Sequence, residues 1–279
     1  MEKDKLMASA ESDIKAIQRL IDIIAILRAP GGCPWDREQT HESLKRPMIE
    51  EACEVIDAID RNDTDNLIEE LGDVLLQVVF HAGLGKDAGT FTMADIANRE
   101  CEKMIFRHPH VFANPDDNLS SAEVLSKWED IKEREKKAKG DFESNAPVSD
   151  SIDKIPKVLP ALLKADKIQS KAARVGFDWD NVNGAFDKVA EESIEIKEAI
   201  AKGDKDEIIS EIGDLLFAVV NVARFLGVDP ESALNRTNEK FARRFRFVEE
   251  SAFANNKDLK EMSLDEMDAL WNEAKKQGK

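Results

Sequence analysis

The sequence predicts an all-α fold, built as a tandem repeat of one helical-bundle unit. Three observations lead there. Apolar residues recur at three- and four-residue spacing along most of the chain, while the period-two alternation of strands is nearly absent. The chain has no tyrosine, only 6% aromatic residues and many Ala, Leu, Ile, Glu and Lys, a mix that favours helices on aliphatic cores. One pattern of acids, bases and tryptophans also occurs twice, at matching intervals.

The elements follow in order. Residues 11–28 place Ile14, Ile17, Ile21, Ile24 and Leu27 on one face, and the turn PGGCPWD at 30–36 ends that helix. A second helix is expected from Met48 to Asp60, with Pro47 at its start, where proline is tolerated. Asp63 or Thr64 can cap a third reaching His81, with Gly83 or Gly85 as its stop. Thr92 caps a fourth through Arg107, the segment HPHVFANPDDN reads as a loop, and Ser120 or Ser121 starts a charged helix ending near Lys139. GDFESNAPVSDS at 140–151 reads as a linker. It divides the chain into an N-terminal domain, 1–139, and a C-terminal domain, 152–279. In the latter, helices are expected over 160–175, 185–202, 204–226, 229–250 and from Ser263 onward, with Gly176, Gly203 and Gly227 as stops.

The halves repeat each other. EEACE at 50–54 precedes EELGDVLLQVV at 69–79, and EESIE at 191–195 precedes SEIGDLLFAVV at 210–220. Glu54 to Glu70 and Glu195 to Glu211 are the same step. NRECEKMIFR at 98–107 answers NRTNEKFARR at 235–244. Each half carries a Trp-Asp before its first acidic helix, Trp35-Asp36 and Trp179-Asp180, and a later Trp followed by Lys, Trp128 with Lys132 and Trp271 with Lys275. Two copies of one supersecondary unit account for this.

Charge bounds the function. Lys and Arg number 40 against 57 Asp and Glu, a net charge of -17. Such a surface repels a phosphate backbone, which argues against nucleic-acid binding. A small anionic substrate needs divalent cations or a local basic cluster. Cys33, Cys53 and Cys101 are too few and too scattered for a disulfide framework, and Cys53, among apolar neighbours, is expected in the core. No signal peptide and no apolar run of about 20 residues is present, so a cytoplasmic, non-membrane protein is expected.

The acids carry the chemistry. Residues three apart share a helix face, so Glu192 and Glu195 project together, as do Glu211 and Asp214 on the next helix. A short connection at Gly203 packs these helices antiparallel and gathers four carboxylates. Crowded like charges are costly without cations, and oxygen donors with no His or Cys suit Mg²⁺, or Mn²⁺ as a substitute. Gly213 is expected to allow close helix approach. Lys240 and Arg244 share a face with Arg243 beside it, a phosphate-binding set, and Lys188 lies one turn before Glu192. Solvated surface charge is the plainer reading of each, and core packing that of Trp271, the alternative being a stack on a base. No GxxxxGK[ST] run occurs, which excludes a P-loop NTPase. A ferritin-like di-iron bundle would need Glu-x-x-His, but the residues three after Glu51 and Glu192 are Glu54 and Glu195. A non-catalytic regulatory module, binding a nucleotide or a partner protein of unstated identity, is the remaining rival.

With GGCPWDREQTH at 31–41, RHPHVF at 107–112, KIQSKAARVGFDW at 167–179 and NEKFARRF at 238–245 added to the acidic segments, the chain resembles the MazG family over nearly its whole length. The resemblance implies Mg²⁺-dependent hydrolysis of nucleoside triphosphates to monophosphate and pyrophosphate, as nucleotide-pool housekeeping, with the C-terminal copy catalytic. It implies Glu192, Glu195, Glu211 and Asp214 as metal ligands, and Lys188, Lys240, Arg244 and Trp271, with Arg243 alongside, as nucleotide contacts. Glu191, or a metal-binding carboxylate such as Glu192, is the expected proton acceptor, and Lys240 and Arg244 the stabilisers of departing pyrophosphate. The N-terminal copy offers a parallel set: Glu51, Glu54, Glu70, Asp73, Lys103, Arg107 and Trp128. Exposed apolar faces in LLFAVV and VLLQVVF predict a homodimer.

Overall fold

The computed structural model of the chain describes residues 6–113, 120, 123–124, 131, 134–135 and 147–278. Among them there is no strand. Two compact units form, residues 1–142 and 143–279. The expected charged helix over 120–139 and Trp128 fall largely or wholly outside the described residues.

In the first unit, α1 (Asp13–Arg28) is followed by the short α2 (Pro34–Glu38), then α3 (Lys45–Arg61), α4 (Thr64–Asp87), α5 (Met93–Arg107) and α6 (Pro109–Phe112). The α3–α4 hairpin turns on Asn62, in the left-handed region at φ 55°, and on Asp63, whose side chain accepts from the Asn66 amide. An αL residue followed by an acidic cap ends one helix and starts the next with its orphan groups satisfied. Helix α1 lies against α4, and Ile24, Leu44, Val79 and Phe80 form the buried core, with Leu20, Ile21, Leu75 and Leu84 around it.

The second unit repeats the plan. After α7 (Val148–Asp153) and α8 (Ala161–Ala173), helices α9 (Val182–Lys202) and α10 (Lys205–Phe225) make the central hairpin. Gly203, at φ 73°, stands where Asn62 stood, and Asp204 caps α10 through the Asp206 and Glu207 amides. Helix α8 packs on α10 as α1 does on α4, and α11 (Pro230–Ala254) pairs with α12 (Leu264–Lys276). Small buried residues, Ala185, Ala199, Ala218, Ala252 and Ala274, let these helices approach closely, with Val220 and Val248 between them.

Several expectations are corrected. Helix α3 begins at Lys45, placing Pro47 inside the first turn, where its missing N–H is still harmless. Gly83 and Gly85 do not stop α4: a side chain on Gly85 would collide with the Phe91 ring at 2.7 Å, so this glycine makes room rather than ending the helix. Helix α6 replaces part of the loop expected after Arg107, and α7 lies in part of the expected linker. Cys53 is exposed: it shares a face of α3 with Ile49 and Ile56, which are exposed as well. A β-carbon added to Gly213 would meet nothing within 4 Å, and the same holds at Gly72, so neither serves a close approach within the chain.

Candidate active site

Helix α9 carries Lys188, Glu191, Glu192 and Glu195, and α10 carries Glu211 and Asp214. The tight Gly203–Asp204 turn fixes their register. Glu192, Glu195 and Glu211 each offer one oxygen within 4.8 Å of the others. Glu192 is the buried member, its side chain 4% exposed. Asp214 lies outside this closest trio and accepts from the Ser210 hydroxyl at 3.4 Å. The expected foursome is therefore three converging carboxylates with a fourth one helical step from Glu211.

The charges are not independent. Lys188 Nζ sits 2.6 Å from Glu192 and 2.8 Å from Glu191, and these carboxylates raise the pKa of its ammonium. The hydrogen bond from Lys188 holds the Glu192 carboxyl below the usual range against the cost of burial. Glu195 is pushed up, first by its hydrogen bond to Glu192 and then by burial. Glu211 is pushed up by burial and by the charge of Glu192. One ammonium thus offsets a crowd of carboxylates that repel one another, and a hard divalent cation suits this all-oxygen donor set.

In the first unit the converging trio is Glu51, Glu70 and Asp73, with Glu54 hydrogen-bonded to Glu70 outside it. Burial raises Glu51, and the charges of Asp73 and Glu54 add to it; burial and Glu54 likewise raise Glu70. Pro47 takes the place of Lys188, and the neighbouring Arg46 pairs with Glu50 at 2.6 Å. Lys103 pairs with Glu100, and Arg107 with Glu135 at 2.7 Å.

The basic and aromatic residues of the second unit gather on α11 and α12. Arg244 places its guanidinium carbon 5.8 Å from the Trp271 ring centre, and Phe241 lies 5.0 Å from the same ring. Phe245 stacks nearly parallel to Phe241 at 6.1 Å. Trp271 is thus half-buried in an aromatic–guanidinium cluster rather than sealed in a core, while Lys240 and Arg243 are exposed. Glu207, at the turn before Glu211, accepts from Lys202 at 2.6 Å.

Sequence reasoning singles out the repeated Trp-Asp but gives it no role. Asp178, one residue ahead of Trp179, pairs with Arg224 at 2.6 Å, and Arg224 Nε donates to the buried Asn221 at 2.8 Å. Trp179 lies directly over Gly184. The usable signal is a glycine in the first turn of α9, where it weakens a helix unless something needs the space.

A profile of the MazG nucleotide pyrophosphohydrolase domain matches residues 39–112 and 184–248, one segment in each unit. The chain is 45% identical over 258 residues to the Thermotoga maritima nucleoside triphosphate pyrophosphohydrolase/pyrophosphatase MazG, covering 92% of this chain and 95% of that one. It is 44% identical over 266 residues to the Escherichia coli nucleoside triphosphate pyrophosphohydrolase, covering 94% and 97%. It is 51% identical over 257 residues to a Bacillus subtilis protein, YabN, of which it spans 50%. With the acids of both hairpins inside the matched segments and the likeness running through more than nine-tenths of the chain, this protein belongs to the MazG family.

Proposed function

We propose that the chain hydrolyses nucleoside triphosphates to the monophosphate and pyrophosphate, and that the second unit carries most of the activity. The observation behind this reading is the convergence of Glu192, Glu195 and Glu211 on one hairpin with Lys188 already directed at them. The relatives named as nucleoside triphosphate pyrophosphohydrolases add to it. Glu192, Glu195, Glu211 and Asp214 would hold Mg²⁺, with Mn²⁺ as a substitute. The ion, when bound, neutralises the triphosphate and lowers the pKa of an attacking water. Lys188 lies within reach of a phosphate bound beside Glu192 and trades its carboxylate partners for it. Lys240, Arg243 and Arg244 offer charge to the departing pyrophosphate, and Trp271 offers a ring to the base. Glu191, exposed and beside Lys188, is positioned to accept the proton of the water.

The first unit keeps the acids but lacks the ammonium: Pro47 supplies neither a charge nor a backbone N–H. Lys103 and Arg107 are also engaged with Glu100 and Glu135. A weak, selective or structural role follows for it.

The chain is also proposed to work as a homodimer. Ile194, Ile200, Ile209, Ile212, Leu216 and Val219 of the catalytic hairpin are all exposed in the single chain. An apolar surface of that extent on a site-bearing hairpin calls for a partner, and light scattering at micromolar concentration should give twice the chain mass.

The test of the activity is product identification on a panel of NTPs and dNTPs, with Glu192→Gln and Glu51→Gln beside the parent. Pyrophosphate as primary product, lost in Glu192→Gln and retained in Glu51→Gln, is expected. Orthophosphate and the nucleoside diphosphate as primary products would refute the reaction, and the reverse order of the two variants would refute the assignment to the second unit.

A further inference from the structure

Trp179 is held in an unusual seat. A β-carbon built on Gly184 would overlap Trp179 Cδ1 and stand 2.5 Å from Cγ, so the indole occupies the volume that any side chain at 184 would fill. The loop bearing it is pinned from α10 by the Asp178–Arg224 ion pair at 2.6 Å, itself braced by Asn221. The ring remains 42% exposed, so the seat fixes it without covering it.

Its position relative to the acids follows from helix geometry. Gly184, Lys188, Glu191, Glu192 and Glu195 recur at three- and four-residue intervals and share one stripe of α9. Eight residues at a rise of 1.5 Å put Gly184 about 12 Å along the axis from Glu192, with Lys188 midway. A flat ring thus stands at one end of the stripe, an ammonium in the middle and the converging carboxylates at the other. That order, ring then cation then carboxylates, matches the order of groups in a metal-bound nucleotide, from base to phosphates to metal. In the first unit the position corresponding to Gly184 is Ser43, and the glycine seat is not repeated.

We infer that Trp179 is a second aromatic contact for the substrate of this site, a specificity-determining residue that stacks on the base of a nucleotide whose phosphates lie against Lys188 and the α9–α10 acids. The inference rests on the second unit taking nucleoside triphosphates. Stacking is indifferent to the hydrogen-bonding edge of a base but grows with its area, so Trp179 favours purines over pyrimidines.

The experiment compares the parent with W179A, W179F and G184A, measuring KM and kcat for four NTPs. Nucleotide binding without turnover is measured by equilibrium dialysis in Ca²⁺, and Mn²⁺ affinity without nucleotide by electron paramagnetic resonance. W179A should raise KM for purine triphosphates about tenfold, the scale of a lost base–aromatic stack, and less for pyrimidines, with kcat within about twofold. W179F should recover most of the loss. G184A should reproduce it, although alanine is the better helix former, because its methyl group takes the place of the ring. Mn²⁺ affinity should not move in any of them. An unchanged KM in W179A, or a parallel loss of Mn²⁺ affinity marking the ring as a mere prop for α9, overturns the inference. If the parent binds no triphosphate in dialysis, the functional reading falls with it; if the parent binds and W179A binds equally well, only the role of Trp179 falls.

Discussion

Lys188 is an internal counter-ion for the acidic hairpin, and replacing it with methionine isolates that role. Methionine keeps most of the apolar stem and removes the charge. Breaking a fully buried ion pair costs about 3–5 kcal/mol, while an exposed pair is worth at most about 1 kcal/mol. Here Glu192 is 4% exposed but Lys188 is 35% exposed, so solvent screens one partner and the cost falls to about 1–2 kcal/mol. For a unit of this size that is a fall in Tm of about 3–8 °C. The sign follows from the carboxylate. Glu192 is depressed by Lys188 in the fold, so the pair stabilises above the ordinary carboxylate range and the contribution is lost as pH falls through it. The deficit should therefore be present in full at pH 7.5 in EDTA. Saturating Mg²⁺, by supplying the missing positive charge, should close most of the gap between Lys188→Met and the parent. Calorimetry with and without Mg²⁺ reads both quantities. Equal Tm values in EDTA, or a gap that Mg²⁺ leaves intact, would refute the counter-ion argument.

Other outcomes follow from the same structure. Asp204→Ala removes a cap that accepts from two amides and should destabilise the α9–α10 hairpin by about 1 kcal/mol, seen as faster amide exchange over residues 205–208. Leu44→Ala, in the core formed with Ile24, Val79 and Phe80, should cost the first unit about 2–5 kcal/mol while leaving pyrophosphate release by the second near the parent rate below the first unit's new transition. Glu266 is held at about 2 by Lys257 and the Ser263 cap, so its contribution is present above the ordinary carboxylate range and lost as pH falls from there toward 2; acid unfolding of α12, followed by circular dichroism, should begin at higher pH in Glu266→Gln. Glu51 and Glu70 are shifted upward, so the metal-free first unit should lose stability as pH rises through their titration, and Mg²⁺ should protect amides of α3 and α4 more at pH 8 than at pH 6; equal protection at both would count against the repulsion.

Much of this is legible in the sequence because it is written in local chemistry. The caps Asp63, Thr92, Asp204, Asp229 and Ser263 all accept from amides of the first turn, as their residue types require. The i, i+3 spacing of the acids, together with the short turns at Asn62 and Gly203, suffices to bring each trio together. What fails depends on contacts remote in sequence. Gly85 reads as a helix stop until Phe91 is found against it. Gly213 reads as a helix–helix contact, yet it faces open space within the chain. Cys53 has apolar neighbours, but Ile49 and Ile56 on its own face of α3 are themselves exposed, so an apolar face does not here mean a covered one. The place of Asp178 in an ion pair with Arg224, near the far end of α10, has no local signature at all.

The two copies show how one fold can keep a pattern of acids and change the charge beside it. Ligand spacing is set by the hairpin, and both hairpins keep the geometry of their turn by different means, Asn62 in one and Gly203 in the other. The electrostatic balance is set one turn earlier, by a single position. With Lys188 there, an ammonium lies 2.6 Å from Glu192 and 2.8 Å from Glu191 and holds the Glu192 carboxyl below the usual range. With Pro47 there, the corresponding position carries no charge, and burial and the neighbouring carboxylates push Glu51 and Glu70 up. Adding Trp179 in its glycine seat, which the first copy also lacks, the second unit has a cation and a ring aligned with its acids along one helix stripe. The converging acids are thus duplicated, whereas the lysine beside them and the glycine that seats a tryptophan are replaced in the first copy by Pro47 and Ser43.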